Sequence, residues 1–588
     1  MNVSTPQELQ HWQHVIENSL DFRPQEGVYR IARSMFTNQE LFDLEMELIF
    51  EKQWIFACHE SQIPNPHDFI TVQAGRQPML VTRDGKGELH ALANTCQHRG
   101  ATLTRVCQGN QSTFTCPFHA WCYKSDGVLA KVKAPTEYGS DFDKSQHGLK
   151  AARIASYRGF VFISLDTESE QSLTEFLGDT TLFFDMMLEQ SENAELEVLP
   201  GISTYTYPGN WKLQNENGLD GYHVSTVHYN YVSTANHRRE LNIQRNGGSE
   251  STLDYSKLGA GDKDTDDGWF SFKHGHGLLF SDMPNAADVR PGYARIMPRL
   301  LDKYPQERAQ WTMHRLRNLN IYPSLFFMDQ ISSQLRIIRP VSWNKTEVIS
   351  LCLGVKGESD RDRESRIRQF EDFFNVSGMG TPDDLVEFRE QQRGFEARST
   401  PWSDISRGHQ HWQYGATRNS DILNITPAIT GTEITHEGLY VSDACDRQDW
   451  DRYLSYFTEE AEFHVPQWRS EHEYTQDPKR EMSLIYYANR SGLEDRVFRI
   501  RTGKSAACTP MPRTLHLIDN VRGQTAENSH LTVSVNWVTH YYRFGESRHF
   551  FGRANYRLCW QGDQLKIAGK HVLLLNDKID SVLDFYHL

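Results

Sequence analysis

Two short loops constrain the fold of this chain more tightly than any other feature: Cys96-Gln-His98 and, after seventeen intervening residues, Cys116-Pro-Phe-His119. The runs before the first loop alternate with the two-residue period of short strands. Phe69-Ile-Thr-Val72 and Met79-Leu-Val-Thr82 precede the turn Asp84-Gly-Lys-Gly87, which leads into Glu88-Leu-His-Ala-Leu-Ala93, the pattern of antiparallel hairpins. Each loop thus presents one thiol and one imidazole at the end of a hairpin. The all-β stretch that carries them closes near the apolar run Gly159-Phe-Val-Phe-Ile-Ser-Leu165.

Zinc sites more often pair Cys with Cys on one loop and His with His on another. One Cys and one His on each of two loops suits instead a Rieske [2Fe–2S] cluster, in which two thiolates hold one iron and two imidazoles the other. Cys96, His98, Cys116 and His119 are therefore the expected cluster ligands, with a zinc ribbon or four unconnected core residues as alternatives. High-potential Rieske proteins resemble one another in a further disulfide and a hydroxyl donor near the sulfurs; here those places hold Ala101 and Phe118, so a lower potential is expected. Cys107 and Cys122 are expected to be buried or beside the cluster.

At roughly 100 to 200 residues per domain, 588 residues predict several domains. The reading is α+β and multidomain: a mostly helical part over residues 1–50, the antiparallel β domain over 51–165, a mixed α+β domain over 166–442 and a small α+β domain over 443–588. In the mixed part, Arg361 to Phe374 has helical spacing and Gln334-Leu-Arg-Ile-Ile-Arg339 alternates like a strand. In the last part, a helix is expected through Trp450, Leu454 and Phe457, then strands at Arg496-Val-Phe-Arg-Ile-Arg501 and Leu531-Thr-Val-Ser-Val-Asn-Trp-Val538.

Acidic residues outnumber basic ones 77 to 62, a formal charge of −15, which argues against nucleic acid or anionic membranes as partners. No apolar run approaches the roughly 20 residues that span a bilayer. Met1-Asn-Val-Ser-Thr-Pro-Gln7 lacks a secretory pattern, and nine cysteines are too few for a disulfide scaffold. A cytoplasmic location is expected.

A cluster alone relays electrons, so chemistry needs a second site. Asp220-Gly-Tyr-His223-Val-Ser-Thr-Val-His228 offers one. On a straight helix, at about 100° per residue, the two imidazoles would point about 140° apart, so the helix must break; Val224, Thr226 and Val227 are poor helix formers and favour that. Two His and one carboxylate with open positions is the arrangement of non-haem Fe(II) oxygenases. Gly380-Thr-Pro-Asp383-Asp384 can supply the carboxylate, yet it reads equally as a helix start with Thr381 at the N-cap and Asp384 capping.

Together these residues resemble those of the aromatic-ring-hydroxylating Rieske non-haem iron dioxygenases. Residues 1 to about 440 are similar to the large subunit and 443–588 to the small subunit. The likeness rests on Cys96-x-His98-Arg-Gly, Cys116-Pro-Phe-His119-Ala-Trp, Asp220-x₂-His223-x₄-His228 and Asp384. Through Asn215 to Tyr229, Asn318 to Phe327 and Phe373 to Asp384 it points to the branch acting on anthranilate, with the benzoate and toluate branches similar but less close.

The resemblance implies a helix-grip-like catalytic domain and a C-terminal cone-shaped, NTF2-like domain, usually structural. It implies a Rieske cluster on Cys96, His98, Cys116 and His119, and a mononuclear Fe(II) on His223, His228 and Asp384, with Asp383 as the alternative. Asp220 would bridge to a cluster histidine of a neighbouring subunit, hence a homotrimer, and Asn217 is a pocket neighbour of the substrate. Electrons would come from an NADH-dependent flavin/iron–sulfur reductase. The implied reaction is reductive dihydroxylation of an aromatic carboxylate by dioxygen, anthranilate giving catechol with loss of ammonia and CO₂; benzoate- or salicylate-type oxidation stays open.

The two subunits are normally separate chains, but here Gly438-Leu-Tyr-Val-Ser442 runs straight into Asp443-Ala-Cys-Asp446. The join is natural or engineered. Two rival readings remain: an electron-transfer module in which His223 and His228 are core residues, and an isomerase-like activity in the C-terminal part using Asp446 or His464. Gly275-His-Gly-Leu-Leu-Phe280, the nearest match to a nicotinamide-binding loop, lacks its third glycine.

Overall fold

A computed structural model describes residues 6–246, 267–283, 285–330, 332–408, 412–431, 450–525, 531–561 and 564–588. The join around Gly438 to Asp446, and Asp446 itself, lie outside the described residues. No helix among the described residues is long and apolar enough to cross a membrane.

The loop-bearing part is antiparallel β. Seven strands run in the order Ile55–His59, Phe160–Ser164, Ala151–Tyr157, Leu89–Ala93, Gln77–Arg83, Asp68–Ala74 and Gln108–Asn110. A smaller sheet pairs Thr113–Thr115, Cys122–Lys124 and Leu129–Lys131. Ile55–His59 and Phe160–Ser164 are buried throughout, and alternate side chains serve two cores. Cys58, Val161 and Ile163 pack inside the β part, while Phe56, Phe160 and Phe162 join a core that includes Phe184, Phe327 and Leu335 of the catalytic part.

The catalytic part is built on a long sheet whose order is Ile429–Gly431, Gly268–Ser271, Gly277–Asp282, Arg315–Ile321, Leu325–Asp329, Ser333–Ser342, Lys345–Val355 and Ser203–Tyr207. Four of its helices matter below: α1 Trp211–Asn217, α2 Val224–Val227, α3 Tyr229–Asn246 and α4 Thr381–Phe395. The C-terminal part is a six-stranded sheet with α5, Ser491–Arg501. Its Ile579–Asp580 strand pairs in parallel with Ser203–Tyr207 and so extends the catalytic sheet. Tyr205, Val348, Leu385 and Phe388 share one core with Phe463, Leu583 and Phe585.

The start is helical over Pro6–Asn18 and again from Gln39 to Phe50, with a hairpin between, Leu20–Arg23 with Val28–Ala32, whose second strand pairs with Trp402–Asp404. Three expectations are corrected. The strand expected at Arg496–Arg501 is the end of helix α5: Arg496 and Arg499 are buried by carboxylate partners from distant segments, which disguises the three-residue spacing of a helix face. The helix through Trp450 stops at Ser455, and Phe457 opens a strand. Cys107 is exposed rather than buried, its N–H donated to Glu471 of the C-terminal part.

Candidate active site

The two Cys/His loops repeat one hydrogen-bonding pattern. Cys96 N–H bonds to Ala101 O at 2.9 Å and Gly100 N–H to Cys96 O at 2.9 Å; Cys116 N–H bonds to Trp121 O at 2.7 Å and Ala120 N–H to Cys116 O at 3.0 Å. Gly100 and Ala120 take the left-handed conformation, φ 74° and 59°, that lets each chain turn back. Cys96 and Cys116 are buried, whereas His98 is exposed and His119 half-buried. The two imidazoles meet edge to face with centroids 4.6 Å apart, and Trp121 stacks on His98 at 5.1 Å. His119 has a buried Nδ1 without a hydrogen-bond partner.

Two groups of donors among the described residues are compact enough for one ion, His223/His228/Asp384 and Asp84/Glu88/His90. The Cys/His quartet is more widely spread, as suits donors that embrace a two-iron core. One feature of its surroundings departs from expectation: the Tyr123 hydroxyl accepts from Gln97 N–H at 3.0 Å and lies 3.4 Å from Cys96 Sγ, so a hydroxyl does stand beside one of the two buried sulfurs.

The second site forms where the chain leaves helical geometry. Helix α1 ends at Asn217, and Gly218 lies so close to Phe326 that a Cβ there would stand 2.3 Å from its ring. The break therefore falls at Gly218 to Tyr222, ahead of the β-branched run, which itself forms the short helix α2. His223 precedes α2 and His228 follows it, bringing the rings to 5.1 Å between centroids. Asp384 sits in the first turn of α4, whose N-cap is Gly380 and not Thr381.

The Asp384 carboxylate does not cap. Its Oδ1 lies 3.5 Å from His223 Nε2 and 3.3 Å from His228 Nε2. Neighbouring ligands about 2.1 Å from a metal stand about 3 Å apart, so these three atoms fit one ion. Burial pushes His228 down to about 3, leaving the neutral ring that a metal takes. For Asp384 burial raises the carboxyl above its usual value against the pull of His223 and Arg336. Asn217 Nδ2 lies 3.1 Å from His223 Nε2 and 3.3 Å from Asp384 Oδ1.

Asp220 Oδ2 lies 3.3 Å from His223 Nδ1, and its Oδ1 accepts from Tyr222 N–H at 2.7 Å. Burial works to raise Asp220, but His223 outweighs it and holds the carboxyl below its usual value. Its side chain is 44% exposed, so it reaches the surface from the ligand cluster. Asp383 turns the other way. It is fully buried and meets Arg499 at 3.1 Å.

A cavity opens beside the three donors, with Leu279, Leu316, Met328 and Phe373 among its walls. Arg336 lines it too. That guanidinium is 3% exposed and donates to Thr381 Oγ1 at 3.2 Å. Among the described residues it pairs with no carboxylate, and its buried Nε has no partner. The sequence reading passed over Arg336; the signal was a charge inside the apolar run Leu335-Arg336-Ile337-Ile338.

Comparison with known proteins agrees with this geometry. Three family descriptions match in succession: Rieske [2Fe-2S] domain at residues 53–157, ring hydroxylating alpha subunit (catalytic domain) at 195–414 and ring hydroxylating beta subunit at 442–581. The chain is 69% identical over 450 residues to the anthranilate 1,2-dioxygenase large subunit of Acinetobacter baylyi, covering 76% of this chain and 94% of that one. The chain belongs to the Rieske ring-hydroxylating dioxygenases. It is a non-haem iron enzyme of that family with a Rieske [2Fe–2S] domain and a mononuclear-iron catalytic domain. A further 147 residues are 52% identical to the anthranilate 1,2-dioxygenase small subunit of the same organism, covering 25% of this chain and 90% of that one. Naphthalene 1,2-dioxygenase from Rhodococcus sp. shares the dioxygenase fold with a TM-score of 0.61 at 22% identity, over 74% of this chain and 96% of that one.

Proposed function

We propose that this dioxygenase converts an aromatic carboxylate, foremost anthranilate, into the corresponding dihydroxylated product. Arg336 carries this reading. A buried guanidinium that makes no ion pair among the described residues and lines the cavity is costly unless an anion meets it, and a planar carboxylate matches its fork of donors. Kinship to the Acinetobacter baylyi large and small subunits supports anthranilate.

His223, His228 and Asp384 would hold the mononuclear iron, and Cys96, His98, Cys116 and His119 the cluster. Bound there, these groups supply dioxygen activation and single electrons. The chain's own residues do the rest. Arg336 anchors the carboxylate, Leu316 and Phe373 exclude water beside the ring, and Asp220 holds the proton on His223 Nδ1, fixing its tautomer. Anthranilate as its anion, O₂, two electrons and three protons balance as catechol, CO₂ and ammonia.

The exposed edge of His98 and the half-exposed Asp220 support electron delivery between subunits of a homotrimer. The exposed apolar side chains Leu515, Leu517 and Val521 on the edge strand of the C-terminal sheet support self-association. An NADH-dependent flavin/iron–sulfur reductase in the cytoplasm completes the proposal, as do unit boundaries near residues 50, 165 and 442. The test is single turnover of chemically reduced protein with anthranilate, benzoate or salicylate. Catechol and ammonia in equal amounts from anthranilate support the reading, and no product from any of the three acids contradicts it.

A further inference from the structure

Helix α5 belongs to the C-terminal part, yet it touches both segments that present donors to the mononuclear site. One stripe faces α3. Asp495 Oδ2 accepts from Arg238 Nε at 2.8 Å, Phe498 stacks on His237 with ring centroids 4.2 Å apart and planes 8° from parallel, and Thr502 bonds to Asn230. Asn230 is fully buried and stands two residues beyond His228. These positions, 495, 498 and 502, recur at the spacing of one helix face.

The adjacent stripe faces α4. Arg499 Nη2 reaches Asp383 Oδ1 at 3.1 Å, and the turn after the helix adds Ser505 Oγ at 2.7 Å and Ala507 N–H at 2.8 Å to the same oxygen. Arg499 Nη1 is held in turn by Asp584 Oδ2 at 3.1 Å, whose other oxygen accepts from Arg496 at 2.7 Å. Asp383, Arg499 and Asp584 are all at most 2% exposed. Three donors on one carboxylate oxygen fix the first turn of α4, and with it the next residue, Asp384.

We propose that α5 and the turn after it form an external brace that sets the spacing between His228 and Asp384, with Arg499 and Ser505 as its positioning residues. The proposal rests on the reading of His223, His228 and Asp384 as iron ligands. It gives the small-subunit part a defined role, because the catalytic part alone would present these donors without the frame that holds them a metal-ligand distance apart. Partners that orient ligands affect metal affinity about 10- to 100-fold, a loss that general destabilisation alone does not produce in a protein that stays folded.

The experiment uses the full chain. Arg499→Met, Arg499→Lys and Ser505→Ala are compared for retention of mononuclear iron against a ferrous chelator, for the spectrum of the nitric oxide adduct at that iron, and for the Rieske signal as an internal control. Arg499→Met is expected to weaken mononuclear iron binding about 10- to 100-fold and to broaden the adduct spectrum with the Rieske signal intact; Arg499→Lys recovers part of the loss. Unchanged affinity and spectrum in a folded Arg499→Met protein overturn the brace. Should Arg499→Met not fold, Ser505→Ala decides in the same way, since it removes one bond to Asp383 and no charge. His228→Ala separates the two levels: if it keeps its mononuclear iron, the ligand reading fails, whatever the brace does.

Discussion

Asp383 and Asp384 are consecutive and face opposite ways: Asp383 accepts three hydrogen bonds from the C-terminal part, while Asp384 stands within 3.5 Å of two histidine nitrogens. Their replacement by Asn should therefore differ in its main effect, stability for Asp383 and iron for Asp384. Asp383→Asn leaves Arg499 short of charge in the interior, a loss of about 3 to 5 kcal/mol. Asp384→Asn removes a carboxylate that burial disfavours, so the metal-free protein keeps its melting temperature while iron is lost. Calorimetry with iron analysis checks the pair; the opposite ranking would contradict the assignment.

Arg336 makes a prediction about specificity. Arg336→Met should lower kcat/KM for anthranilate about 10- to 100-fold, the worth of about 1.5 to 3 kcal/mol for a hydrogen bond to a charged group. The methyl ester of the same acid should lose far less. Equal losses for acid and ester would remove Arg336 from substrate binding.

Asp220 links His223 to the surface. Asp220→Asn should retain both iron centres but slow electron arrival at the mononuclear site about 100-fold, read by rapid mixing of reduced protein with substrate and oxygen. Reoxidation of the cluster at the unmodified rate would rule out the bridging role.

Acid should loosen the whole chain. His59 and His276 are pushed down to about 4 and His464 to about 3, in each case chiefly by burial. Between pH 6.5 and 4 the unfolded chain binds protons that these folded rings refuse, so stability falls with falling pH, by about 3 kcal/mol per histidine at about pH 4. The melting temperature should drop across that window, and His464→Gln should shallow the drop. An identical slope in the variant would exclude His464 as a contributor.

The two Cys/His loops were legible as a matched pair because their side chains are local: each Cys lies two or three residues from its His. The break ahead of His223 was legible too, since no straight helix converges those rings, although it falls at Gly218 to Tyr222, before the β-branched run. Asp384 could not be told from a helix cap by spacing, because Thr381-Pro382 opens a helix whatever the next carboxylates do. Arg336 and Arg499 were hidden for a common reason. A buried guanidinium takes its meaning from partners supplied by distant segments, the cavity for Arg336 and Asp383 with Asp584 for Arg499, and a local alternation of charge and apolar residues reads as a half-exposed strand instead.

Iron content per chain, with the Rieske signal quantified on the same sample, addresses the two-centre account most directly. Three iron atoms per chain are expected, two in the cluster and one at His223, His228 and Asp384, falling to two in His228→Ala with the Rieske signal unchanged. Two in the unmodified protein, or three in the variant, would contradict it.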